Sequence, residues 1–139
     1  MNDIYNLQRF VDAQDPEIEY ARAELRKGSK SGHWMWFVFP QIEGLGRSET
    51  SRRYAISSRQ EAEAYLKHPI LGPRLRECTQ LVNLVQGRSA REIFGSPDDL
   101  KFRSSLTLFA TVTSDNGVFN EALQKYFGGK PDIHTLRKL

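Results

Sequence analysis

Apolar residues recur along most of this chain at intervals of three and four, the repeat that lines one face of an α-helix. In NLQRFVDAQ that face carries Leu7, Phe10 and Val11. DPEIEYARAELRKG follows with helical punctuation: Asp15 as cap, Pro16 at the first position, acids in the first turn, bases in the last, and Gly28 as the stop. From Ser58, SRQEAEAYLKHP reads as a capped helix ending before Pro69. PRLRECTQLVNLVQG then spaces Leu75, Leu81, Leu84 and Val85 helically up to Gly87. SAREIFG is a short capped helix. In SPDDLKFRSSLTLFATV, Ser96 reads as the cap and Pro97 as the first residue. Asp99 takes the place of the usual Glu in a capping box, and Leu100, Phe109 and Ala110 face inward. GVFNEALQKYFGG brings Phe119, Leu123, Tyr126 and Phe127 to one side before a glycine stop, and PDIHTLRKL adds a last turn.

Alternation with a period of two is nearly absent. FRSSLTLFATV and WMWFVFP have strand-like composition, but the first follows a strong helix cap and the second is brief. The pattern therefore predicts an all-α protein: one domain over residues 1–139, a compact irregular bundle of about eight short helices. Phe10, Leu25, Phe37, Phe39, Leu81, Phe109 and Leu123 are the expected core.

At 139 residues the chain is long enough for one real hydrophobic core. A formal net charge of +3 is mildly basic. It permits an anionic partner without requiring one, and falls short of the clustered excess of proteins that track nucleic-acid backbone. The single cysteine, Cys78, rules out an internal disulfide and a cysteine-based zinc site. On an apolar helix it is expected to be buried and inert. MNDIYNLQRF lacks the basic start and apolar run of a signal peptide. The longest apolar run, WMWFVF, falls far short of the ~20 residues that span a bilayer. The expectation is a cytoplasmic protein with no membrane contact.

One segment changes the picture. SGHWMWFVFPQIEGLGRSETSRRYA holds both tryptophans of the chain and His33, followed by a glycine-flanked turn and three arginines. Most of these aromatics are expected to pack in the core. A buried indole N–H needs a partner, however, so one of Trp34 and Trp36 is expected at the core edge, where it can stack on a flat ligand. Gly44 and Gly46 let the backbone turn tightly. Ser48 or Thr50 can cap a helix carrying Arg52 and Arg53, whose N-terminus would then attract an anion. Arg47, beside the turn, can grip a phosphate with two N–H groups.

His33 is the candidate acid–base group, and Gln41 and Glu43 are positioning candidates near the turn. Asp98 and Asp99 are expected at a helix start for dipole reasons alone, and Lys101, Arg103 and Ser104 as its exposed face. The three histidines are far apart in sequence, so neither a metal nor a cofactor is expected.

The strings NLQRFVDAQ, GHWMWFVFPQIEGLGRSETSRRYAI, HPILGPRLREC and AREIFGSPDDLKFRSSLTLF resemble the hallmark segments of a bacterial family, domain-of-unknown-function family 1810. The resemblance covers about Tyr5 to Leu136. It implies a compact, mainly helical domain and supplies no reaction or catalytic residue. Members often carry the label "calpastatin". Calpain-inhibiting repeats are disordered, whereas this chain has core-forming helices throughout and no repeat, so the label is set aside.

The leading expectation is a domain that binds, with or without processing it, a phosphate-bearing flat ligand such as a nucleotide or an ADP-ribose-type metabolite. Trp34 or Trp36 would stack, and the Gly44–Ser48 turn with Arg47, Arg52 or Arg53 would hold phosphate. Two alternatives stand beside it. A protein-interaction module would dock a partner on exposed aromatics. A nucleic-acid binder would show steep salt dependence and affinity rising with strand length.

Overall fold

The computed structural model describes residues 3–139. Ten helices carry them: α1 (Gln8–Gln14), α2 (Ile18–Lys27), α3 (Met35–Val38), α4 (Glu49–Arg53), α5 (Arg59–Lys67), α6 (Leu71–Asn83), α7 (Ala90–Phe94), α8 (Asp98–Val112), α9 (Gly117–Phe127) and α10 (Ile133–Arg137). The all-α expectation holds, with more and shorter helices than foreseen. Among the described residues extended pairing is limited to one isolated parallel bridge, Ile42 to Ile56. No described helix is long and apolar enough to cross a membrane.

Helix α8 is the axis of the bundle, packed by α5, α7, α9 and α10. Phe102 and every residue from Ser104 to Phe109 are buried. A helix covered on all sides has no polar face, which is why FRSSLTLFATV looks strand-like in composition. Two of its hydroxyls are satisfied locally: Thr107 and Thr111 each donate to the carbonyl four residues back, at 2.9 and 2.7 Å. A second layer forms where α6 meets α2, α5 and α9.

Several caps fall where the sequence places them. Ser58 accepts from the Glu61 amide, and Ser89 with Glu92 completes a reciprocal capping box. Gly28 and Gly128 end α2 and α9 in the left-handed region.

Others differ. Asp15 is the C-cap of α1 rather than the N-cap of α2. Helix α1 runs on to Gln14, whose buried amide donates to the Phe37 carbonyl at 2.7 Å and to the Tyr65 hydroxyl at 3.0 Å. Ser96 does not cap α8, which starts at Asp98 without a side-chain cap. Helix α6 stops at Asn83, well before Gly87, where the Lys125 ammonium takes the carbonyls of Asn83 and Val85 at 2.6 and 2.5 Å. Leu84 and Leu100, read as inward-facing, are 62% and 55% exposed.

Phe10, Leu25, Phe39, Phe109 and Leu123 are buried as expected, whereas Phe37 and Leu81 are only partly so. Cys78 is buried, and burial pushes its thiol up to about 12, out of reach as a nucleophile near neutrality. Phe109→Ala should lower unfolding free energy by about 3–5 kcal/mol, and Leu81→Ala by clearly less, in urea titrations followed by circular dichroism. Equal losses would mean that α8 is not the axis on which the bundle is packed.

Candidate functional site

The two tryptophans part ways because they lie two positions apart around a single helical turn, about 200° of rotation. Helix α3 is only four residues long, with Phe39 already out of helical geometry before Pro40. Trp34, its N-cap, is wholly buried. Glu24 Oε1 accepts from the Trp34 indole N–H at 2.9 Å and from the amides of Ser31 and Gly32 at 2.8 and 2.9 Å. Trp34 therefore has no face open to solvent, whereas Trp36 is half-buried. The Lys101 ammonium lies 3.8 Å from the centre of the Trp36 ring. Asp98 fixes that ammonium at 2.9 Å and also holds Lys30 at 2.8 Å. Burial works against the Asp98 charge, but the hydrogen bonds and charges of the two lysines outweigh it and keep the carboxyl below its ordinary value.

Trp36 is one wall of a cleft of about 400 Å³ lined also by Gln41, Glu43, Gly46, Arg52 and Tyr54. The bridge closes the loop that forms it: the Glu43 amide donates to the Ile56 carbonyl and the Ile56 amide to the Gln41 carbonyl, both at 2.8 Å. Tyr54 is backed by Phe37 and Phe10, with ring centres 5.5 and 5.9 Å away. Gly44 has φ +93°, and a β-carbon there would lie 2.7 Å from Lys138 Nζ. At Gly46 a β-carbon would lie 2.6 Å from that of Ser51, so the turn can close against α4 only without a side chain.

The candidate residues are thus partly gathered and partly dispersed. Trp36, Gln41, Gly44, Gly46 and Arg52 line the cleft; Arg47, Ser48 and Arg53 do not. Ser48 caps α4, but its hydroxyl accepts from the Ser51 amide, and a five-residue helix has too short a dipole for the anion site expected there. Arg53 stacks over Tyr54, its guanidinium 5.7 Å from the ring, and its carbonyl accepts from Arg9. Arg47 is exposed. Among the described residues neither Arg47 nor Arg52 forms an ion pair.

His33 is exposed and opens onto a separate recess of about 160 Å³ with Lys30, Trp36, Asp98 and Lys101. The imidazole that reaches a cleft is His134. It borders a second space of about 380 Å³ that shares Trp36, Gln41 and Gly46 with the first. Asp132 anchors that side: its Oδ2 accepts from Thr135 Oγ1 at 2.6 Å and lies 3.1 Å from Ser104 Oγ. Ser104 is consequently buried, not part of an exposed face. Tyr54 was within reach of sequence reasoning, being adjacent to the arginines. Lys101 was read only as part of an exposed face, and Asp132 and His134 carried no signal, since α8 and α10 are brought to the turn only by the fold.

The arrangement defines a class: a small all-helical domain whose turn, tryptophan and last helix border adjoining clefts. Over residues 4–139 the sequence matches the family described as Protein of unknown function (DUF1810), and the chain belongs to it. It is similar to the conserved hypothetical protein Rv1873 from Mycobacterium tuberculosis, whose crystal structure was determined at 1.38 Å. The two share 58% identity with a TM-score of 0.98, over 99% of this chain and 98% of that one. No curated protein matches the sequence.

Glu24 makes the arrangement testable through pH. Burial raises its pKa, but the hydrogen bonds from Gly32, Ser31 and Trp34 outweigh this, and the carboxyl lies below its ordinary 4.5. A depressed folded value means that the stabilisation is complete above the unfolded value and fades as pH falls through the folded one. Glu24→Ala should cost about 1–3 kcal/mol at pH 7, chiefly from the orphaned indole N–H. The gap between variant and wild type should narrow below pH 4.5 in urea titrations. A gap that stays constant down to pH 3 would contradict the role given to the carboxylate.

Proposed function

We propose that the Trp36 cleft binds a phosphate-bearing flat ligand, such as a nucleotide or an ADP-ribose-type metabolite. The observation that carries the reading is the cleft itself. Two half-buried aromatic rings, Trp36 and Tyr54, line one space with Arg52, a guanidinium that no carboxylate neutralises among the described residues. Its volume of about 400 Å³ lies in the range of small-molecule sites, ~300–1,000 Å³. A base would stack against Trp36, Glu43 would accept from ribose hydroxyls, and Arg52 beside the Gly44–Gly46 turn would hold phosphate. The reading places the protein in the cytoplasm, where nucleotides are abundant and Cys78 stays reduced.

ADP is a suitable probe, by thermal shift and then by calorimetry. A charge-assisted contact is worth about 1.5–3 kcal/mol net, so Arg52→Ala should weaken ADP by roughly one to two decades. Arg47→Ala, outside the cleft, should leave the Kd nearly unchanged. Failure of ADP to bind, or equal losses in both variants, would reject the reading. Affinity that rises with oligonucleotide length and falls steeply with salt would instead favour nucleic acid.

A further inference from the structure

The space beside Trp36 does not end at the first cleft. The second, of about 380 Å³, begins at the same three residues, Trp36, Gln41 and Gly46, and runs toward α8 and α10. We propose that the ligand carries two ring groups joined through phosphate, a dinucleotide linked 5′ to 5′, with one nucleoside in each cleft. This rests on the nucleotide reading of the first cleft and extends it.

Three observations favour two linked groups over one. The clefts are nearly equal in volume, and each alone is close to the lower end of the range for small-molecule sites. A single nucleotide would fill one and leave the other open.

The second cleft repeats the chemistry of the first. Trp36 is a common wall, Leu45, Pro97 and Leu100 supply an apolar surface, and Lys101 and His134 supply donors. Leu100 is 55% exposed although it belongs to the most buried helix of the bundle, and a ring lying against it would cover that surface.

Third, the cations flank the shared boundary. Arg52 lines only the first cleft and Lys101 only the second, while Gln41 and Gly46 line both. A phosphate linkage crossing at Gln41 and Gly46 would have a positive group on each side. Further positive charge lies next to the turn, where Arg137 and Lys138 border an open hollow with Gly44, Leu45 and His134. Lys101 is already held by Asp98, so its ammonium is in place before a ligand arrives.

The experiment compares ADP with diadenosine 5′,5′-diphosphate by calorimetry on wild type, Leu100→Glu, His134→Ala and Arg52→Ala. Leu100 and His134 are exposed, so both second-cleft variants should fold, as circular dichroism would show. Wild type should bind the dinucleotide at least tenfold more tightly than ADP. Leu100→Glu and His134→Ala should remove most of that advantage while leaving the ADP Kd within about twofold. Arg52→Ala should weaken both ligands. Equal affinity for the two ligands, with neither second-cleft variant affecting the dinucleotide, would overturn the two-group ligand and leave the nucleotide reading standing. If folded wild type binds neither ligand, both fall together.

Discussion

The hydrogen bond from the buried Trp34 indole to Glu24, 2.9 Å long, is the constraint on which the site depends. A tryptophan can be wholly buried only if its N–H is satisfied, and the same carboxylate oxygen gathers the amides of Ser31 and Gly32. With Trp34 fixed inward, the short turn of α3 turns Trp36 outward. The Gln14 amide secures the far end of that turn at the Phe37 carbonyl. The position of the cleft wall is therefore set by polar contacts behind Trp36 rather than by the wall itself.

What surrounds Trp36 comes from three distant parts of the chain. The loop closed by the Ile42–Ile56 bridge supplies Gln41, the glycine turn, Arg52 and Tyr54. Helix α8 supplies Lys101 and Leu100, and α10 supplies His134. The last helix is held against α8 by a compact polar cluster: the Asp132 amide donates to Thr107 Oγ1 at 2.8 Å, and the Asp132 carboxylate accepts from Thr135. Burial opposes the Asp132 charge, but hydrogen bonds from Thr135 and Ser104 prevail and keep its carboxyl below the ordinary value. Stability and site geometry are thus served by the same contacts.

The helices were legible because their signals are local. Ser58, Ser89 with Glu92, and the glycines at 28 and 128 act within one turn of themselves. Boundaries set from elsewhere were not legible: Lys125 ends α6 from 42 residues away. The site shows the same division. Its tryptophan, glycine turn and arginines are contiguous and could be read together, but sequence could not say which tryptophan or which arginine points into space. Arg47 and Arg52 have the same chemistry, but Arg47 precedes the cap of α4 and is exposed, whereas α4 brings Arg52 to the cleft. His33 stood out by adjacency, whereas His134, about a hundred positions further on, comes to the cleft only through the anchoring of α10.

A crystal structure of the protein with ADP bound tests the central claim most directly. The account places the adenine against the Trp36 ring, with the phosphates beside Arg52 and the Gly44–Gly46 turn. Adenine bound at another surface, with the Trp36 cleft unoccupied and its side chains unmoved, would contradict it.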